Sequence, residues 1–305
     1  MPVELGRREL KAQVRERMRG IRPPFWQVTL IYLLLTDVVI TMVDLSGASD
    51  LSRPGMLPMF LTFLTSLYTL VMRFGYQLWA LRASRGQQPS WGTLFDGFSM
   101  AGRVVLMMLF VCLFLVGWTL LLSLPAAALM AFVYLTFSPV LSILIYFLAV
   151  LAIALWSYYR YAMAPYLLMD HPEFSPLTAV RESVNLTRGW KWEFFKLDLS
   201  FLGWYLVNQI LSLGILAFFA YPVVQSIFQA SASEPELWIQ LFQGLVLPWQ
   251  AALLSVLIQI PLSLWLMPYV EISHAGFYQA LAQRPVPPPP VWNGPYDGPY
   301  NGPDL

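Results

Sequence analysis

Charged residues are scarce in this chain: Asp, Glu, Lys and Arg together make up 11% of its 305 residues. Soluble domains usually carry about 25% charged residues, so this scarcity argues against a soluble globular protein. Hydrophobic residues make up 58% of the sequence, and such a composition is typical of membrane proteins. The net charge of +1 says little as a total, whereas the placement of the charges along the chain is informative.

Cysteine and histidine are also rare. The single cysteine, Cys112, cannot form an intramolecular disulfide, and together with His171 and His274 it offers too few ligands for a typical zinc site. The sequence contains no nucleophile elbow, Walker loop, dinucleotide fingerprint, HExxH or paired-cysteine motif. We therefore predict no catalytic residues, no metal and no cofactor. Nucleic-acid binding is excluded as well, because no recognised motif accompanies the basic residues.

Long apolar runs are what the sequence has instead. A helix needs about 20 apolar residues to cross the hydrocarbon layer, and runs of that length predict an all-α, polytopic transmembrane helix bundle. The six predicted spans are 25–43, 57–81, 104–124, 141–168, 194–221 and 245–270. Between Arg103 and Arg160 lie 56 residues without a charge, enough for two spans and a turn. Because Pro248 and Pro261 interrupt the last run, residues 234–270 form either one span or a surface helix followed by a span.

The basic residues predict the orientation of the bundle. Seven of them precede the first span: Arg7, Arg8, Lys11, Arg15, Arg17, Arg19 and Arg22. The second-to-third and fourth-to-fifth connections are also basic, whereas the other connections are acidic or nearly uncharged. By the positive-inside rule, both termini of this multi-pass protein lie in the cytoplasm. A cleaved signal peptide is the competing interpretation of the start, but the basic region and the apolar run are both too long for one.

The two ends of the chain flank a transmembrane domain over 25–283. The sequence of residues 1–24 predicts a basic amphipathic helix, with Leu10, Val14 and Met18 spaced four apart. The helix either lies on the anionic lipids of the cytoplasmic face or is a solvated signal that sets the orientation. Residues 284–305 form a Pro/Gly-rich tail that we predict to be disordered and cytoplasmic. The tail either has no ligand or docks onto a partner that recognises polyproline.

An unusually polar stretch, "HPEFSPLTAVRESVNLTRGWKWEFFK", interrupts the apolar sequence from His171 to Lys196. Ser175 and Pro176 form a typical helix start, and the spacing predicts an amphipathic surface helix over 176–188. Its apolar face carries Leu177, Val180 and Val184, and the helix lies on the inner membrane surface as a connector or as a binding element.

Several tryptophans lie near the predicted membrane interfaces: Trp26, Trp79, Trp156, Trp190 and Trp192. An aromatic belt is the ordinary explanation for them.

Three charges fall deep inside predicted spans. Counting about 1.5 Å per residue places Asp37, Arg73 and Arg160 within roughly one helical turn of the same depth. Because a lone charge at the bilayer centre is costly, such residues normally face the bundle interior and pair. We predict a buried polar cluster joining Asp37 with Arg73, Arg160 or both; the alternative is that both arginines extend to the interface. Asp198 is predicted to be interfacial, as a partner for Lys191 or Lys196.

The order of several segments resembles a known family. The run "YAMAPYLLMDHPEFSPLTAVRESVNLTRGWKWEFFKLDLSFLGW" and the pieces "RRELKAQVRERMRG", "LRASRGQQPSWGTLFDGF" and "PYVEISHAGFYQAL" are similar to the bacterial integral membrane family known as domain of unknown function family 975. Residues from about 220 to 261 and the Pro-rich tail depart from the family pattern. The resemblance implies a polytopic protein of the bacterial cytoplasmic membrane and carries no activity with it.

Two functional hypotheses follow. The first is a non-enzymatic scaffold, regulatory or accessory protein that binds a membrane-protein partner within the lipid bilayer. The second is a transporter or lipid-handling protein with a polar site between helices at Asp37, Arg73 and Arg160. The first predicts a packed apolar interior, and the second a cavity lined by the intramembrane charges.

Overall fold

The computed structural model describes residues 6–45, 55–136, 138–229 and 249–283. Within these ranges the chain is helical and has no strand, which confirms the predicted all-α class. The helices are α1 (Arg7–Gly20), α2 (Phe25–Leu45), α3 (Met56–Ser84), α4 (Thr93–Asp96), α5 (Ala101–Thr136), α6 (Pro139–Tyr161), α7 (Ala164–Asp170), α8 (Pro176–Leu186), α9 (Lys191–Leu199), α10 (Leu202–Gln229) and α11 (Trp249–Ala282). A 3-10 turn, Gly97–Met100, connects α4 to α5.

Five segments of the described chain are long and apolar enough to cross a membrane. They are Phe25–Val43, Met56–Ser84, Thr93–Thr136, Pro139–Asp170 and Leu202–Phe219. Each overlaps one of the first five predicted spans. The sixth prediction, 245–270, lies partly outside the described residues, and so does the choice between one span and a surface helix over 234–270. The predicted tail, 284–305, lies outside them entirely.

Helices α5 and α6 pack against each other as a long hairpin. The sequence predicts that the third span ends at residue 124, because a proline follows it. Instead α5 continues through Pro125 to Thr136, a helix of 36 residues that extends about 54 Å at 1.5 Å per residue. Proline removes one backbone hydrogen bond, but in an uncharged, apolar segment no other conformation would satisfy the remaining backbone groups within lipid.

The packed core lies at one end of the bundle. The largest fully buried side chains include Trp79, Tyr76, Tyr166, Tyr278 and Phe194, contributed by α3, α7, α9 and α11. In contrast, only 6% to 22% of an apolar 18-residue stretch in each candidate membrane span is buried inside the structure. We call the packed end the platform: α1, residues 71–84 of α3, α4, α7, α8, α9 and residues 266–282 of α11. The densest packing is thus found where the short helices meet the ends of the long ones.

Two glycines allow α3 to touch the α4 region backbone to backbone. A Cβ atom on Gly75 would lie 2.0 Å from the carbonyl oxygen of Leu94, and a Cβ on Gly97 would lie 2.8 Å from the carbonyl oxygen of Val71. Real Cβ atoms do not approach a carbonyl oxygen this closely. The second-to-third connection therefore docks onto α3 only because side chains are missing at both contact points.

The amphipathic faces of α1 and α8 contact protein. The sequence predicts that both helices lie on lipid through these faces. The structure instead buries Val14 and Met18 of α1, which packs on α3 and α11. Val180 of α8 is buried, Leu177 and Val184 are half-buried, and α8 packs on α5, α6 and α7. The local spacing was enough to place an apolar face, but it could not specify what that face contacts.

The start of α8 follows the expected chemistry. The Ser175 hydroxyl accepts a hydrogen bond from the backbone N–H of Thr178 at 3.1 Å, so it caps the helix, and Pro176 occupies the first turn. After the helix, Trp190 is half-buried, whereas Trp192 is exposed and stacks on Phe195 with the ring centroids 5.0 Å apart. Trp192 therefore has the exposure expected of an interfacial aromatic residue.

The predicted span over 194–221 is broken in the structure. Helix α9 ends at Leu199 and α10 begins at Leu202. Phe194, Leu197 and Phe201 are buried in the platform, so this part of the run is apolar because it packs on protein. Helix α1 also stabilises the break, because the Lys11 ammonium donates a hydrogen bond to the carbonyl oxygen of Ser200 at 3.2 Å. The membrane-crossing part starts about eight residues later than the sequence predicts.

Candidate functional site

The three predicted intramembrane charges lie on three different helices. Asp37 of α2 and Arg73 of α3 are exposed in the isolated chain, and Arg160 at the end of α6 is half-buried. Among the ion pairs of the described ranges, none includes any of the three. The structure therefore does not bring Asp37 into direct contact with either arginine, and their pairing stays a prediction.

A different polar site joins the ends of three helices. The carboxylate of Asp198 in α9 accepts a hydrogen bond from the Tyr159 hydroxyl of α6 at 2.9 Å. Its other oxygen lies 2.6 Å from Nε2 of His274 in α11. The side chains of Asp198 and His274 are 24% and 12% exposed, so water screens this pair only weakly. We call Tyr159, Asp198 and His274 the Asp198 triad.

The charge balance around His274 favours its protonated form. Burial by itself lowers the pKa of His274, but the hydrogen bond and charge of Asp198, with the charge of Glu271, outweigh burial and raise the pKa above its ordinary value of 6.5. The Arg73 guanidinium opposes this effect. Arg73 is thus close enough to influence the triad electrostatically, although it forms no ion pair with its members.

Two further carboxylates repeat the same arrangement. Buried Glu271 accepts from the Tyr166 hydroxyl at 3.4 Å, and Asp170 accepts from the Tyr278 hydroxyl at 2.9 Å. Arg85, from the connection after α3, forms an ion pair with Asp170 as well. In each case a carboxylate on one helix accepts a hydrogen bond from a tyrosine hydroxyl on another helix. These bonds fix the long helices to the platform.

Helix α11 supplies one member to each of these three contacts. Glu271, His274 and Tyr278 are spaced three and four residues apart, which places them on one face of the helix. Polar residues at that spacing in an otherwise apolar helix were the signal that could have predicted the site from sequence. It was missed because their partners, on α6, α7 and α9, are far away in the chain.

The prediction for Asp198 was wrong in its partner. Asp198 was expected to pair with Lys191 or Lys196 at the interface. Instead Lys196 forms an ion pair with Glu193 at 2.5 Å, within α9, and Asp198 pairs with His274. Residues three apart face each other on a helix and residues two apart do not, so Lys196 reaches Glu193 and not Asp198.

Arg160 lies among aromatic rings. Its guanidinium carbon is 5.2 Å from the ring centroids of both Trp118 and Trp156, and 5.9 Å from that of Tyr161. The Trp118 indole N–H donates to the Tyr161 hydroxyl at 3.0 Å, which fixes two of these rings relative to each other. Contacts of this kind between a cation and aromatic faces are favourable. The Nε atom of Arg160 is nevertheless buried without a hydrogen-bond partner.

The chemistry available to these residues is limited. In the described ranges, no group of three His, Cys, Asp or Glu side chains could hold a metal ion. An open cleft of about 370 Å³ lies beside Tyr278, and a second of about 420 Å³ lies beside Gly86. A third, of about 410 Å³, is an apolar groove between α3 and α5. None of these three clefts is lined by Arg73, Arg160 or the Asp198 triad.

These features define a polytopic helical membrane protein whose helix ends are joined by carboxylate–tyrosine bonds. Residues 5–230 match the family model described as "Protein of unknown function (DUF975)", and the chain belongs to this family. The match ends before residues 268–281, so the resemblance of that later piece stays a prediction. Neither the curated proteins nor the solved structures gave a match.

Proposed function

We propose that this protein is a non-enzymatic accessory protein of the bacterial cytoplasmic membrane, which scaffolds or regulates other membrane proteins. The observation that supports this most is the α5–α6 hairpin. Its helices pack mainly on each other, and large apolar side chains such as Leu113, Leu120 and Phe147 are exposed along it. At about 54 Å, α5 is also longer than the roughly 30 Å needed to cross the hydrocarbon layer.

The division between the platform and the hairpin suits such a role. The platform is held by buried aromatic residues and by carboxylates that are bonded to tyrosines, so it provides a fixed base. The hairpin is anchored to that base at one end, through contacts of α5 and α6 with α8. A partner helix that packs along the hairpin would then be held at a defined distance from the platform.

Photo-crosslinking in native membranes tests this proposal. With a photoreactive amino acid at Leu113 or Phe147, we expect a protein adduct of one defined mass, because a bound partner covers the same surface in every copy. The control position is Ile210 of α10, which is exposed to a similar degree on another helix. Lipid adducts alone at all three positions, or identical protein adducts at Ile210 and on the hairpin, would contradict a specific partner.

A transporter or lipid-handling function is the second candidate, and one observation favours it. Arg73 and Arg160 are charged residues of the helix bundle, and neither forms an ion pair in the described part of the chain. A charge within the membrane is normally paired, so these arginines are available to an anionic ligand.

The orientation is part of the proposal and has its own test. We expect reporter fusions after Gly55, Ser138 and Ser233 to report the outside of the membrane, and fusions after Gln88 and Ser175 to report the cytoplasm. The platform then lies at the inner surface, as the basic connections predict. Ser233 lies outside the described residues. A cytoplasmic signal there would reject the six-span topology, and one at Ser138 would reject the assignment of α5 and α6 as two spans.

A further inference from the structure

Arg160 requires a hydrogen-bond acceptor that the described chain does not provide. Its Nε atom is buried and has no partner, while the aromatic rings of Trp118 and Trp156 contact the guanidinium group without accepting its N–H bonds in the plane. Leaving a charged donor unsatisfied inside a protein is costly. An oxygen-rich anion placed beside Arg160 would remove that cost.

A second cation lies at the same position. The Lys191 ammonium lies 4.5 Å from the ring centroid of Trp156, so Lys191 and Arg160 share one indole. Burial, followed by the charges of Arg160 and Arg188, lowers the pKa of Lys191. Lys191 is half-buried, and the positive charges of Arg160 and Arg188 act against its own.

Among the described residues, no carboxylate forms an ion pair with Arg160, Arg188 or Lys191. Nearby cations behave differently: Lys196 has Glu193, and Arg85 has Asp170. Helix α9 also begins at Lys191, and the amino end of a helix adds to the positive potential.

We propose that Arg160 and Lys191 bind the phosphate group of an anionic lipid. Arginine matches the geometry of phosphate oxygens with two parallel hydrogen bonds, and lysine adds a point charge. Trp118 and Trp156 each lie 5.2 Å from the guanidinium carbon and restrict where the group can point.

The position of the site favours a lipid over a soluble phosphate. It lies where α6, which carries no charge before Arg160, reaches the platform. Trp156 is 39% exposed in the isolated chain, and exposed Trp192 lies next to Lys191 in sequence. Tryptophan and basic residues together are typical of the headgroup layer. This site is independent of the accessory role, since neither a partner nor the hairpin surface takes part in it.

Thermal unfolding of the full-length protein in detergent tests the site. Phosphatidylglycerol should raise the unfolding temperature with saturation, because a ligand that binds only the folded state stabilises it by mass action. Phosphatidylcholine, which carries no net charge, should not. Saturation by inorganic phosphate, with no added effect of phosphatidylglycerol, would assign the site to a soluble anion and overturn the lipid assignment.

Three charge-removing variants separate this site from general surface attraction. Arg160→Gln and Lys191→Gln should each raise the half-saturating concentration of phosphatidylglycerol about tenfold, the effect of losing one charged hydrogen bond. Arg181→Gln is the matched control, because it removes the same charge from the exposed side of α8. Equal weakening in all three variants would reject the site. If Arg160→Gln does not fold, Lys191→Gln against Arg181→Gln gives the same decision.

Discussion

Replacing Gly75 by alanine should destabilise the folded protein by about 3 kcal/mol, the upper part of the usual range for overpacking. The added Cβ would lie 2.0 Å from the carbonyl oxygen of Leu94. A backbone oxygen cannot rotate away as a side chain can, so α3 and α4 would have to separate. That separation would expose Trp79, whose indole N–H donates to the carbonyl oxygen of Pro89 at 3.2 Å.

The measurement is thermal unfolding of the purified variant in detergent, compared with the same change at Gly117. A Cβ on Gly117 meets no atom within 4 Å, and this residue lies inside α5. Gly117→Ala should therefore be neutral or stabilising by up to about 1 kcal/mol, because alanine favours helix. Similar unfolding temperatures for the two variants would mean that the α3–α4 contact is not as close as described.

Removing the Asp198 carboxylate should have an effect of similar size. Asp198→Ala takes away both acceptors of the triad and leaves the Tyr159 hydroxyl and His274 without their partner, which costs about 3 kcal/mol. The matched control is Asp96→Ala. Asp96 forms a 2.8 Å ion pair with Arg82, but both side chains are more than a third exposed, so its loss should cost at most about 1 kcal/mol.

A double-mutant cycle measures the contact itself. Asp198→Ala combined with His274→Ala should cost less than the sum of the single changes, by about 1 to 3 kcal/mol. Additive losses would show that the two side chains do not interact in the membrane.

The same pair predicts how stability depends on pH. The pKa of His274 is raised in the folded state above its ordinary value of 6.5. A raised pKa means that this contribution is complete below pH 6.5 and is lost as the pH rises through the folded-state value. The groups that set it are Asp198, Glu271 and Arg73. Unfolding temperatures recorded from pH 5.5 upwards should fall more steeply for the wild type than for His274→Ala.

The helical class and the approximate spans were predictable because they depend on local properties. Apolar runs of about 20 residues are sufficient to indicate a membrane-crossing helix, and the described part of the chain contains five such segments. Ser175 and Pro176 likewise placed the start of α8, since a helix start depends on a few adjacent residues.

The platform was not predictable, because its contacts join distant parts of the chain. Trp79 was assigned to an aromatic belt, yet it is fully buried. Phe194 was assigned to a span, yet it packs face to face with Phe277 at 4.9 Å. An apolar residue has the same pattern in a sequence whether it faces lipid or protein. The partner decides between the two, and Phe277 is 83 residues further along the chain than Phe194.

The position of α11 has a consequence for biosynthesis. During translation Asp170 and Asp198 are made before Tyr278 and His274, which lie in α11. Until that helix emerges from the ribosome, both carboxylates lack these partners, and the buried surface of α1 and α3 that α11 covers is open. A chain that stops before α11 would therefore expose these groups to the proteases that remove incomplete membrane proteins. In the finished chain, the packing of α11 covers them.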